Sequence, residues 1–179
     1  MRNPMHSTAQ RLRTLTAWLA TVAGAAALLL APAAQAQLHP PQIAGVTAFE
    51  QNFQTSTGRV RRVLYFRPAV QAAGPAPAIV ALHYGGGSPE GITNIAQLRE
   101  LVRDTGVWVI LPEASGRAWN HDPARDNAVD VDLLTRVIDN AVGSLPIDPR
   151  RVYMTGFSSG AFMAMRYACE RPERIAAMA

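Results

Sequence analysis

The chain has 179 residues, with 17 arginines and no lysine against 13 acidic residues. Three of the arginines fall in the first 36 residues, so the remainder carries 14 against 13, a balance of +1, which is no nucleic-acid footprint. The missing lysine excludes a Schiff-base lysine and a Walker-type phosphate loop, and the single cysteine, Cys169, excludes an internal disulfide.

Arg2, Arg11 and Arg13 lead into an apolar stretch from Leu15 to Leu30, and Ala34-Gln35-Ala36 then gives a small-x-small site before Gln37. This pattern predicts an export signal cleaved near Ala36 and a secreted or periplasmic product. The alternative is an uncleaved membrane anchor, for which the run is short and is closed off by Pro32. No membrane association is expected once the signal is removed. Taking 36 from 179 leaves 143 residues, a length for one domain with a buried core.

Residues 37–58 read as a polar lead-in containing His39-Pro40-Pro41, with no regular element assigned. Arg59 to Arg67 is a β-rich run ended by Pro68, and Ala78 to Leu82 is a continuous apolar run of strand length, as for a strand covered on both faces. Ile95, Leu98, Leu101 and Val102 recur at helical spacing, with Asn94 and Gln97 as a capping-box-like start and Gly106 as the stop. Val107 to Leu111 is the next buried strand. A polar loop from Pro112 to Asn127 precedes a helix over about Val131 to Val142, with Asp130 as N-cap and Gly143 just past its end. Asp148-Pro149 makes a turn into the short strand Val152-Tyr153-Met154, and a helix-like run continues from Ala161 to Arg171. Cys169, four residues after Met165 on that helix, is expected to be a buried apolar side chain. Strands alternating with amphipathic helices predict an α/β fold with a mainly parallel sheet flanked by helices. Sites in such sheets form at the carboxyl ends of the strands.

Two glycine-rich segments come directly after strands and so can meet at one end of the sheet. Gly156-Phe157-Ser158-Ser159-Gly160 is G-x-S-x-G between a strand and a helix, the pattern of a nucleophile elbow. It assigns Ser158 as nucleophile and the Ser159 N–H as an oxyanion donor; the alternative is a serine N-cap on a glycine-flanked turn. His83-Tyr84-Gly85-Gly86-Gly87-Ser88 matches the H-G-G-G-type loop that supplies the second donor, assigned to the Gly85 N–H. Its alternatives are a flexible loop or a phosphate nest. No His/Asp/Cys cluster has ligand spacing, so neither metal nor other cofactor is expected.

The succession Ala81 to Ser88, Trp119-Asn120, Ile147 to Gly160 and Ala168-Cys169-Glu170-Arg171-Pro172 resembles the secreted polyhydroxybutyrate depolymerase and feruloyl esterase family. The likeness runs from about Arg59 to the last residue. The combined motif set is specific, whereas any one part is not. The resemblance implies an α/β-hydrolase fold and hydrolysis of ester bonds, so the expected partner is a polyester or aryl ester substrate. Two positions depart from the family. Tyr84 stands where glycine usually comes after the histidine, a change at the oxyanion loop or the pocket rim, and Ala161 replaces a common second glycine after the elbow.

In this fold the triad runs Ser, then Asp or Glu, then His along the chain. After Ser158 come only Glu170 and Glu173, and all four histidines (His6, His39, His83, His121) precede the serine. His83 is expected to be structural, and His121 as base would require an atypical order. The expectation is therefore an N-terminal part of a hydrolase domain, residues 59–179, truncated after the elbow helix and inactive by itself, with acid and histidine beyond Ala179. Trp119 and Asn120 border the substrate or, for the indole, pack in the core. Rival readings are a secreted α/β-hydrolase peptidase and a non-catalytic remnant or binding module.

Overall fold

The computed structural model describes residues 42–125 and 128–179. The expected export signal and its cleavage near Ala36, with His6 and His39, fall outside the described residues. Among the described residues no helix is long and apolar enough to cross a membrane.

Six strands form one mixed sheet in the order β1-β2-β4-β3-β5-β6, where β1 is Val46–Gln54, β2 Val60–Pro68, β3 Ala76–Leu82, β4 Trp108–Pro112, β5 Ile147–Gly156 and β6 Ala177–Met178. Strand β2 is antiparallel to both its neighbours, β1 and β4, and β4, β3, β5 and β6 run parallel. Helices α1 (Pro89–Ile95) and α2 (Leu98–Thr105) link β3 to β4. Helix α3 (Val129–Ser144) links β4 to β5, and α4 (Ser159–Glu170) comes after β5.

The continuous apolar runs are explained by burial on both faces. Val63, Tyr65, Val80, Leu82 and Ile110 join one cluster with Leu134, Val137, Ile138, Met163 and Tyr167 from α3 and α4. Their strand neighbours Leu64, Phe66, Ala81, Val109 and Leu111 turn to the other face, against Ile92, Leu98 and Val102 of α1 and α2. Successive side chains thus feed two cores, as the two-residue period of a strand requires.

Several features differ from expectation. The lead-in 37–58 contributes β1, whose Phe49 is the cross-strand partner of Tyr65, with their rings stacked at 4.8 Å. The helix expected from Asn94 is two helices. The first is capped by Ser88, whose Oγ accepts the Gly91 N–H at 3.2 Å, with Pro89 at its first position. Gln97 sits in the left-handed region at φ 49 and makes no side-chain cap. The break re-phases the apolar face: Ile92 and Leu98, six residues apart, both reach the sheet, while Ile95 is exposed.

The third difference is at α3. Ala128, at φ 55, is the residue before the helix, and Asp130 lies inside its first turn with its carboxylate turned to the β4–α3 loop. The fourth is Cys169, which is exposed: α4 turns Met163, Ala164 and Tyr167 inward and leaves both Met165 and Cys169 outside. Gly106 stops α2 as expected, at φ 73 with its N–H donated to the Val102 carbonyl. Asp148-Pro149 is not a turn ahead of the strand but lies inside β5, where the β3–β5 register slips so that Ala76 to Ala78 spans Ile147 to Val152, and Gly143 lies within α3 and not past its end.

Candidate active site

Strand β5 ends at Gly156 and α4 starts at Ser159, so the whole reversal occupies two residues. Ser158 absorbs it, at φ 52 and ψ −117, outside even the left-handed helical well. Such a backbone costs on the order of 1–3 kcal/mol and persists only where its surroundings impose it. Here the Phe157 N–H is donated to the Leu82 carbonyl at 3.1 Å. The Ser158 carbonyl accepts the N–H groups of Ala161 and Phe162 at 2.9 and 3.2 Å.

The flanking glycines are steric requirements. A Cβ on Gly156 would stand 2.3 Å from the carbonyl carbon of Gly160, and one on Gly160 would stand 2.2 Å from the carbonyl oxygen of Leu82. Both clashes are with backbone, which cannot swing away. Strand, helix and the neighbouring β3 therefore converge on the turn, and the Ser158 side chain is left exposed at its apex. Ser159 is the first residue of α4, where N–H groups have no intrahelical acceptor.

The glycine loop after β3 comes to the same place. A Cβ built on Gly85 would lie 3.7 Å from that of Ser159 and 3.5 Å from that of Ala118, so Gly85 abuts the elbow. Gly86, at φ 74, needs glycine for its backbone and donates its N–H to the Arg117 carbonyl at 2.5 Å. Tyr84 folds its ring over Gly87 and Gly91; Cβ atoms there would meet the ring at 2.9 Å and its hydroxyl at 3.0 Å. The same ring stands edge-on to Phe157, at 6.1 Å and 89°.

His83 is buried and structural. Its Nε2 accepts the Ala114 N–H at 3.2 Å, which leaves Nδ1 to donate to the Tyr84 carbonyl at 2.8 Å. Trp119 is also buried, a core residue whose Nε1 donates to the His83 carbonyl at 2.8 Å and whose backbone N–H goes to Ser159 Oγ at 3.1 Å. Asn120 donates its N–H to Asp130 at 2.7 Å, and its carbonyl accepts from Arg166 Nη1 at 2.8 Å. His121 hydrogen-bonds the Trp119 carbonyl through Nδ1 at 3.2 Å and stacks on Phe162 of α4 at 5.2 Å. Glu170 pairs with Arg166 and Glu173 with Arg174. Thus Ser158, Ser159 and Gly85 are brought together, and none of the hydrogen bonds of these two histidines or two glutamates reaches Ser158. Asp130 is what the sequence reading missed: an aspartate just ahead of an amphipathic run is indistinguishable from an N-cap without its loop partners.

No family model matches the chain. It is similar to a putative esterase, NocK, of Nocardia uniformis subsp. tsuyamanensis, 33% identical over 108 residues, which is 58% of this chain and 31% of that protein. Feruloyl esterase B of Piromyces equi is 29% identical over 108 residues, 58% of this chain and 20% of its own. Acetylxylan esterase A of Emericella nidulans is 29% identical over 144 residues, 77% of this chain and 45% of its own. The chain therefore spans less than half the length of these curated relatives. Among solved structures, an acetyl xylan esterase from Aspergillus awamori superposes with a TM-score of 0.64 at 23% identity, over 74% of this chain and 50% of that one. An S-formylglutathione hydrolase from Agrobacterium tumefaciens gives 0.64 at 16% identity, over 77% and 58%. The fold is that of the α/β-hydrolases, and the curated relatives are esterases.

Proposed function

We propose that this chain carries the nucleophile and the oxyanion hole of an exported serine esterase. Ser158 Oγ attacks the ester carbonyl carbon, and the carbonyl oxygen, now negative, is held by the N–H groups of Gly85 and Ser159. The C–O bond to the alcohol breaks, the alcohol leaves with a proton, and water then releases the acid from the acyl-enzyme. The observation that carries this reading is the strained turn at Ser158 with Gly85 set against Ser159. A phosphate nest is the weaker reading of the glycine loop, because the Gly86 and Gly87 N–H groups are already donated to the carbonyls of Arg117 and Tyr84.

The proton needs a histidine, and both nitrogens of His83 are engaged. None of the hydrogen bonds and ion pairs of His121, Glu170 and Glu173 reaches Ser158 either, so the part proposed for this chain is the nucleophile and the oxyanion donors. The substrate class proposed is a polyhydroxyalkanoate-type polyester or a feruloyl or other aryl ester. Exposed Phe157 and Phe162, on either side of Ser158 in the chain, suit an apolar or aromatic ester.

The test is fluorophosphonate labelling of the intact gene product, with hydrolysis of aryl ester, polyester and peptide substrates compared. Labelling at Ser158, abolished in Ser158→Ala together with ester hydrolysis, is expected. Turnover of peptides alone would establish a peptidase instead, and ester turnover surviving Ser158→Ala would overturn the assignment.

A further inference from the structure

The segment from Ser115 to Asn120 is held at both ends by one carboxylate. Asp130 Oδ1 accepts the Ser115 N–H at 3.0 Å and Oδ2 accepts the Asn120 N–H at 2.7 Å, and the aspartate is 1% exposed. The carbonyl at each end is held by an arginine, that of Ser115 by Arg61 of β2 and that of Asn120 by Arg166 of α4. Between these clamps the segment makes one bond to each half of the candidate site. Arg117 takes the Gly86 N–H on its carbonyl, next to Gly85, and Trp119 gives its N–H to Ser159 Oγ.

We propose that Asp130 is a positioning residue for the oxyanion hole, fixing the separation of the Gly85 and Ser159 N–H groups through this six-residue strut. The inference rests on the esterase reading above. A carboxylate can accept on both oxygens at once, whereas an amide of the same shape presents an NH2 to one of the two N–H groups. Burial makes that mismatch matter, because water is not at hand to relieve it. A donor set slightly off the position of the oxyanion stabilises the transition state less while leaving ground-state binding alone. Such a change lowers kcat and not KM.

The experiment is Asp130→Asn in the intact gene product, assayed with an aryl ester and by amide hydrogen exchange. Loss of one whole oxyanion donor costs roughly 100- to 1,000-fold in kcat, so a displaced pair is expected to cost about tenfold or more, with KM within about twofold. The Ser115, Trp119 and Asn120 amides are expected to exchange faster in the variant. Faster exchange with kcat unchanged would overturn the positioning role, and so would a fall in kcat with exchange unaltered. A parent protein with no esterase activity would overturn the esterase reading and with it the catalytic part of this proposal, while exchange still decides the clamp. Should D130N not fold, Ser159→Ala removes the bond between the strut and the elbow. A several-fold loss of kcat at constant KM supports the proposal there, and an unchanged kcat overturns it.

Discussion

Gly160 approaches Leu82 so closely that a Cβ on the glycine would lie 2.2 Å from the leucine's carbonyl oxygen and 2.7 Å from that of His83. The elbow helix therefore sits directly on the end of β3, where the glycine loop begins. Gly160→Ala is expected to cost about 3 kcal/mol or more, the upper end of overpacking penalties, because only backbone movement can relieve the clash. A melting temperature lower by roughly 10 °C, and loss of the labelling proposed for Ser158, would be the readout. Gly156→Ala is expected to do the same.

Tyr84 and Gly91 make a milder and reversible conflict. A Cβ on Gly91 would meet the Tyr84 hydroxyl at 3.0 Å and the next ring atom only at 3.5 Å. Gly91→Ala is therefore expected to destabilise the wild-type background by about 1 kcal/mol. In Tyr84→Phe, the same change is expected to be neutral or to stabilise by up to about 1 kcal/mol, through the helix preference of alanine over glycine. A double-mutant cycle on urea midpoints reads the coupling directly.

Trp108 and Trp119 are equally buried, each 2% exposed, but differ in their indole N–H. That of Trp119 is donated to the His83 carbonyl, whereas that of Trp108 has no partner among the described residues. Trp119→Phe strands a buried acceptor, and Trp108→Phe removes a stranded donor. The first is expected to cost about 1–3 kcal/mol more than the second in denaturant unfolding.

Glu90 is pulled two ways. Burial pushes its carboxyl up, but the bond from Arg62, its own backbone N–H and the Ser88 hydroxyl prevail and hold it below the usual glutamate range. A depressed folded value means the stabilisation is fully present above the ordinary carboxylate range and is lost as pH falls through the folded value. Glu90→Gln is thus expected to lower stability at pH 7, by up to about 1 kcal/mol, and the gap to the wild type is expected to be narrower at pH 3. Urea midpoints at the two pH values check it.

The parts of this structure legible in the sequence are those set by local sterics. Glycine at 156 and 160 admits a turn no other residue fits, and the apolar runs of β3 and β4 are strands because both their faces are covered. What escaped was decided at a distance. In β1 the alternation of Phe49 and Phe53 is interrupted by Gln51, a polar residue on the inward face, so the edge strand was not recognisable. The α1–α2 break at Gln97 has no glycine or proline to announce it; it arises from the need to seat both Ile92 and Leu98. Asp130 has the spacing of a cap and works as a tie, because its partners lie 15 and 10 residues earlier in the chain. Cys169 shares a face with Met165, as the helical period requires, but that face is outward.

The bend at residue 158 is enforced by what its neighbours lack, and nothing about it depends on an oxygen. Sulfur in that place would be presented at the same apex by the same backbone. The architecture thus separates the atom on display from the means of displaying it.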